Sequence, residues 1–218
     1  MKRNHLNTNQ TLYTDSMYKG LSVMQNCGPL IEQYLKGLHA VVEDSLQAYG
    51  RVFAFRVDLR FPDQWGINGE CLQNEVVSRF IESFKAKIRH NRNCARQHNP
   101  YAHDTVVRYA WAREIGQQGW PHYHFVFLLN ENAFFALGQF EIGRDNMFNR
   151  LQQAWASALG MPVEMAAGLV HIPANPMYHL RRDDPQGVSS FFYRASYMCK
   201  ADTKNFGSYQ HGFGTSRR

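Results

Sequence analysis

The segment Arg51–Leu59 reads RVFAFRVDL, and its alternation decides the fold. Phe53, Phe55, Val57 and Leu59 recur at every second position against Ala54, Arg56, Asp58 and Arg60, the period of a strand with one buried and one exposed face. Pro62 ends the run, because proline cannot donate to a strand ladder. Upstream the period is helical. Pro29 suits a first helical position, Leu30, Ile31, Tyr34, Leu35, Leu38, Val41, Val42 and Leu46 keep one apolar stripe, and Gly50 stops it. Residues 1 to about 27 are polar without a sustained period, which predicts an arm that wraps the domain or lacks fixed structure.

Downstream of Arg51–Leu59 a second helix is predicted, with Leu72, Val76, Val77, Phe80, Ile81, Phe84 and Ile88 facing inward. Lys85, Lys87, Arg89 and Arg92 form its basic outer side, which meets either DNA or only water, plain solvation being the ordinary state of most charges on a surface helix. Two strands, Thr105 to Ile115 and His122 to Leu129, flank the turn-rich GQQGWP and predict a hairpin. A third helix carries Met147, Phe148, Leu151, Ala154, Trp155, Ala158 and Leu159 on one face and ends at Gly160, with Pro162 just beyond. A short strand, Leu169 to Ile172, and the polar loop RRDDPQG lead to a last helix from about Val188 to Ala201. The tail NFGSYQHGFGTSRR is glycine-rich, basic and without period. This order predicts an α+β fold, a central antiparallel sheet with helices on its faces.

With 218 residues, the chain suits one sizeable core and an N-terminal extension. Its 24 Lys and Arg against 18 Asp and Glu give a net charge of +6, a surplus that commonly faces phosphate. Cys27, Cys71, Cys94 and Cys199 are scattered, without metal-knuckle spacing or a dense disulfide pattern, and read as reduced thiols. The polar start MKRNHLNTNQ and an apolar run no longer than Phe125 to Leu129 predict a cytoplasmic protein with no membrane span.

Two motifs carry chemistry. Pro121-His122-Tyr123-His124 opens a strand, so His122 and His124 point to one side and suit one metal ion, while Tyr123, Phe125 and Phe127 take the other side. Glu114, across the turn, shares the histidines' face only if the turn leaves it opposite one of them, which needs an odd-length loop or a bulge. In the second motif, Tyr193-Arg-Ala-Ser-Tyr197-Met-Cys-Lys200, about 100° per residue places Tyr193, Tyr197 and Lys200 in roughly a 60° sector. Val188, Phe191, Phe192, Ala195, Met198 and Cys199 fall opposite, so the tyrosines avoid the apolar stripe. Arg56 and Asp58 share the polar face of the first strand; they either line the same site or simply face solvent.

REIGQQGWPHYHFVFLL together with YRASYMCK resembles the HUH (His-hydrophobic-His) endonucleases, the replication initiators of small phages and plasmids, particularly those of inoviruses and microviruses. The likeness runs from about Arg51 to Lys200. It implies an N-terminal arm and helix over 1–50, a nicking domain over 51–204 and a flexible basic tail over 205–218. It also implies His122, His124 and Glu114 as ligands of a divalent ion, Mg²⁺ or Mn²⁺, Tyr197 as nucleophile with Lys200 beside it, and Tyr193 as a second nucleophile. One departure is Ser196, where some two-tyrosine members carry a lysine, so single-tyrosine action through Tyr197 is the assignment.

The implied activity is metal-dependent nicking and rejoining of single-stranded DNA through a covalent 5′-phosphotyrosine, initiating rolling-circle replication of a phage, prophage or other mobile element. The expected partner is a single-stranded DNA origin, with strand separation left to a separate host helicase. The alternative is a DNA-binding regulator or replication accessory of the same fold without efficient nicking. A histidine-rich nucleotide hydrolase is disfavoured, because the third position of His-x-His-x-His is Val126.

Overall fold

The computed structural model describes residues 2–62, 74–116, 120–202 and 211–217. Its elements are β1 (Lys2–Asn4), β2 (Asn7–Tyr13), β3 (Met17–Tyr18), β4 (Leu21–Ser22), β5 (Leu30–Ile31), α1 (Glu32–Ala48), β6 (Arg51–Leu59) and α2 (Glu75–His98). There follow β7 (Arg108–Ile115), β8 (Pro121–Asn130), α3 (Met147–Leu159), β9 (Val170–His171), β10 (Met177–Arg181), α4 (Pro185–Ala195) and β11 (Phe213–Thr215). Among the described residues, the main sheet runs β10-β6-β8-β7-β11, every pair antiparallel, with β9 also on β6. The α+β class and the antiparallel sheet are as the periodicities predict.

Alternation along β6 is correct, but its second face is not solvated. Phe53, Phe55, Val57 and Leu59 pack with Phe125 and Phe127 of β8 under α2 and α3, whose Phe80, Phe84 and Trp155 complete that layer. On the opposite face Val52 and Ala54 join Val126, Leu128, Ala110 and Ala112 under α1 and α4. Small side chains at 54, 110 and 112 leave room for α1 and α4, and each large apolar side chain buried there contributes about 1.5–3 kcal/mol. Helices on both faces therefore bury both sides of β6, which pattern alone reads as half-exposed.

Helix α3 matches its prediction end for end. Asn146 accepts from the Asn149 amide at its start, and Gly160 closes it at φ 68°, a left-handed conformation that suits glycine. Helix α1 starts later than Pro29 suggests. Leu30–Ile31 is extended and pairs with β2, so the helix begins at Glu32. The last helix differs more. It begins at Pro185, capped by Asp184 accepting from the Gly187 amide, inside the stretch read as a polar loop. It ends at Ala195 and tightens into a 3₁₀ turn over Ser196–Cys199 rather than continuing to Ala201.

Three further elements escape the period-based reading. The N-terminal arm contains short strands that no period marks: β1, β2 and β5 form one small sheet, and β3 pairs with β4. Strand β10 adds to the outer edge of β6. Within the tail expected to be flexible, Phe213–Thr215 is an edge strand on β7, where Gly214 admits the Trp111 ring that a Cβ would strike at 2.6 Å. Leu72 and Cys71 lie outside the described residues. Among the described residues no disulfide joins Cys27, Cys94 or Cys199, and no described helix is long and apolar enough to cross a membrane.

Candidate metal centre

The face of the sheet beneath α1 and α4 is apolar at one end and ionisable at the other. Moving along β6, Val52 and Ala54 give way to Arg56 and Asp58; along β8 the same face carries Leu128, Val126, His124 and His122. Register aligns these. Asp58 is opposite His124, which is opposite Ala112, and Glu114 is opposite His122. Residues 116 to 120 separate the last pair, Ile115 and Pro121, so the loop is odd in length and the condition for Glu114 to share the histidines' face is met.

Glu114, His122 and His124 each offer one ligand atom, all lying within 4.8 Å of one another. Glu114 Oε2 is 3.8 Å from His122 Nε2 and 3.5 Å from His124 Nε2. His124 Nε2 is buried without a hydrogen-bond partner, while its Nδ1 is 2.6 Å from Asp58 Oδ1. One ring nitrogen is held by a carboxylate and the other is left for a cation, the arrangement that orients histidine ligands. Two imidazoles and a carboxylate are a donor set that takes a divalent ion. The group could bind a metal ion.

The electrostatics of His122 agree with that use. Burial, reinforced by the charge of His124, pushes the His122 ring down to about 4, leaving it neutral and able to donate a lone pair. His124 moves the other way. Its burial opposes protonation, but the carboxylates of Asp58 and Glu114 beside it outweigh that and raise the ring. Asp58 is lowered despite its desolvation, because His124, Arg56 and His171 favour the carboxylate. Its second oxygen lies 3.3 Å from His171 Nδ1 on β9. Asp58 and Arg56 thus belong to the site region rather than to solvent, and Arg56 is only 8% exposed. His171 was not singled out from the sequence; its signal is a histidine in a short strand that pairs with β6 next to Asp58.

The 3₁₀ turn after α4 brings two more predicted residues to the cluster. Lys200 Nζ is 2.9 Å from Glu114 Oε2 and also donates to the Tyr197 hydroxyl. The Tyr197 ring stands edge-on to His124, with centroids 5.8 Å apart. Burial works against the Lys200 ammonium, but its bonds to Tyr197 and Glu114 prevail and raise it, so the charge is kept. Tyr193 goes elsewhere. It lines a groove with Tyr178 and Arg194 rather than touching the histidines. The expected inward set, Val188, Phe191, Phe192, Ala195, Met198 and Cys199, is buried. Ser196 is fully buried too: its hydroxyl accepts from the Met24 amide and donates to the Tyr193 carbonyl, so this position has no room for an extended lysine.

The N-terminal strands fasten this turn. Leu30 bridges Lys200, the Ala201 amide donates to Pro29 O at 2.9 Å, and the Ser22 amide donates to Ser189 on α4. The tyrosine and lysine are therefore held from both sides.

Comparison with known proteins places the chain. It is 32% identical over 200 residues to the uncharacterized protein YfjJ of Escherichia coli (strain K12), covering 87% of this chain and 96% of that protein. It is 33% identical over 177 residues to the uncharacterized protein YagK of the same organism, covering 78% of this chain and 85% of that protein. No solved structure matches. Residues 13–216 match the YagK/YfjJ C-terminal domain, so almost the whole length, both ends of the sheet and the Glu114-His122-His124 cluster included, belongs to the YagK/YfjJ C-terminal domain family.

Proposed function

We propose that this protein nicks and rejoins single-stranded DNA in the manner of HUH replication initiators, with Tyr197 as nucleophile. The observation that carries the reading is the joint geometry: Glu114, His122 and His124 within 4.8 Å, with Lys200 linking Glu114 to the Tyr197 hydroxyl. A histidine pair alone serves many structural purposes. A histidine pair facing a tyrosine whose hydroxyl is tied to a ligand carboxylate through a lysine serves few.

A divalent ion, Mg²⁺ or Mn²⁺, held by the three ligands would supply a Lewis acid at a phosphate oxygen. The chain's own residues do the rest. Lys200 donates to the phenol oxygen and so places its positive charge where the nucleophile meets the phosphate. Tyr197 Oη gives up its proton to solvent and forms the new P–O bond while the P–O3′ bond breaks; the 5′-phosphate stays on the tyrosine, and the departing 3′-oxygen takes a proton from solvent to become a hydroxyl. Rejoining reverses the step. Asp58 keeps the His124 ring in the tautomer that leaves Nε2 free. With Tyr193 outside the cluster, a single tyrosine makes the first cut.

The test is direct. Protein is incubated with 5′- and 3′-labelled single-stranded DNA and Mn²⁺, then denatured. A metal-dependent protein–DNA adduct carrying the 3′ label supports the reading. Binding without adduct at any divalent ion refutes nicking and favours the DNA-binding regulator.

A further inference from the structure

Beside α4, on the side of the sheet that carries the cluster, lies a groove of about 750 Å³, a size that takes small ligands. Its lining is unusual for a surface depression. Tyr178 from β10 and Tyr193 from α4 contribute two half-buried rings, Arg194 a guanidinium, and Gln186 and Asn175 side-chain amides, with serine hydroxyls between them. Tyr178 is set edge-on against Phe191, with centroids 5.2 Å apart, so its ring is fixed by the core beneath. The backbone is also set: Asn175 holds a left-handed φ of 51° just before β10.

Each of these groups suits one part of a nucleotide. Tyrosine faces stack on bases, amides pair with base edges in both senses, and a guanidinium takes a phosphate. Arg56 extends the pattern. It is only 8% exposed and interacts electrostatically first with Asp58 of the cluster and then with Arg194, Tyr178 and Tyr197. Its amide donates to Pro176 O beside Asn175, and it stands two residues from Asp58 on β6, so a guanidinium lies between the groove and the cluster.

We infer that the Tyr178–Tyr193–Arg194 groove is a nucleotide subsite that stacks an unpaired base of the DNA strand next to the scissile phosphate, with Tyr193 a binding residue and not a second nucleophile. The inference rests on the single-stranded DNA reading above and adds where the strand lies. The alternation of rings, amides and guanidinium is poorly suited to an apolar ligand, which would leave these polar groups unpaired.

The probe is a pool of random-sequence 30-nucleotide single strands containing 5-iododeoxyuridine in place of thymidine, used with the full-length protein. Affinity is read by fluorescence anisotropy, and contacts by ultraviolet crosslinking and peptide mapping of the wild type. Tyr178→Ala and Tyr193→Ala are each expected to lose on the order of 10-fold in affinity, and Tyr193→Phe, which keeps the ring face, to lose little. Tyr101→Ala, an exposed tyrosine in the connection leading into the far end of β7, serves as control. Crosslinks are expected on the peptides carrying Tyr178 or Tyr193. Because Tyr178 packs on Phe191, melting temperatures accompany each variant, and the wild-type crosslink needs no substitution at all. If the wild type binds, but both alanine variants bind equally well and crosslinks map only elsewhere, the groove assignment is overturned while the nicking reading stands. If the wild type binds no single-stranded DNA, both are overturned.

Discussion

Lys200 Nζ lies 2.9 Å from Glu114 Oε2, a buried ammonium against a buried carboxylate. Removing one partner strands the other, which costs more than the pair itself contributes. Glu114→Gln should therefore lower the unfolding free energy by about 1–3 kcal/mol, and adding Lys200→Met should restore part of that loss. Urea titrations of the two single variants and the double variant measure the coupling; a double variant no more stable than Glu114→Gln would show that the ammonium is not stranded.

Metal affinity should separate ligands from the residue that orients them. His124→Ala removes a donor and should abolish saturable Mn²⁺ binding, whereas Asp58→Asn leaves all three donors and should weaken it about 10–100-fold. Isothermal titration calorimetry distinguishes these outcomes. Equal affinity for Asp58→Asn and wild type would remove Asp58 from the site.

Under the nicking reading, Tyr197→Phe should abolish the covalent adduct and Tyr193→Phe should keep it. Only Tyr197 shares a hydrogen bond with Lys200 and a ring contact with His124. Peptide mapping of the adduct decides the matter, and DNA found on Tyr193 reverses the assignment.

A pH dependence follows from His39, which is buried on α1 against Tyr18 and Phe192. Burial lowers its pKa, with Glu43 at 3.7 Å opposing and Lys19 assisting. A depressed histidine binds fewer protons folded than unfolded, so stability rises with pH and is lost as pH falls below the unfolded value of about 6.5. Urea midpoints for wild type should therefore drop between pH 7.5 and 5.5 more steeply than those for His39→Leu. Parallel profiles would discount the histidine.

Much of this was legible in the sequence because it is periodic. Strand β6, helix α3 with its Gly160 stop, and the inward stripe of α4 follow from spacing alone. Glu114 was readable only conditionally, since loop parity had to be joined to a register that spacing does not state. Strand β10 was hidden by Pro173 and Pro176 before it and by the charged residues after it, and as an outer strand it shows little apolar alternation. The N-terminal strands are short and polar for the same reason. The 3₁₀ turn at Ser196–Cys199 left no mark, because the change from one hydrogen-bond span to another keeps the same residues buried. The groove was invisible in advance, for it needs Tyr178 and Tyr193 from elements whose adjacency only the tertiary structure supplies.

The bond from the Met24 amide to Ser196 joins residues 172 positions apart. During synthesis, a chain that has emerged only as far as Ala195 already possesses Glu114, His122 and His124, yet it lacks Tyr197 and Lys200. The N-terminal segment waits through most of translation for the final turn that it clasps, and that closing contact is of the long-range kind that forms slowly. Under the nicking reading, activity is thus withheld from incomplete polypeptides: a chain ending before Tyr197 can present Glu114, His122 and His124 but lacks the proposed nucleophile.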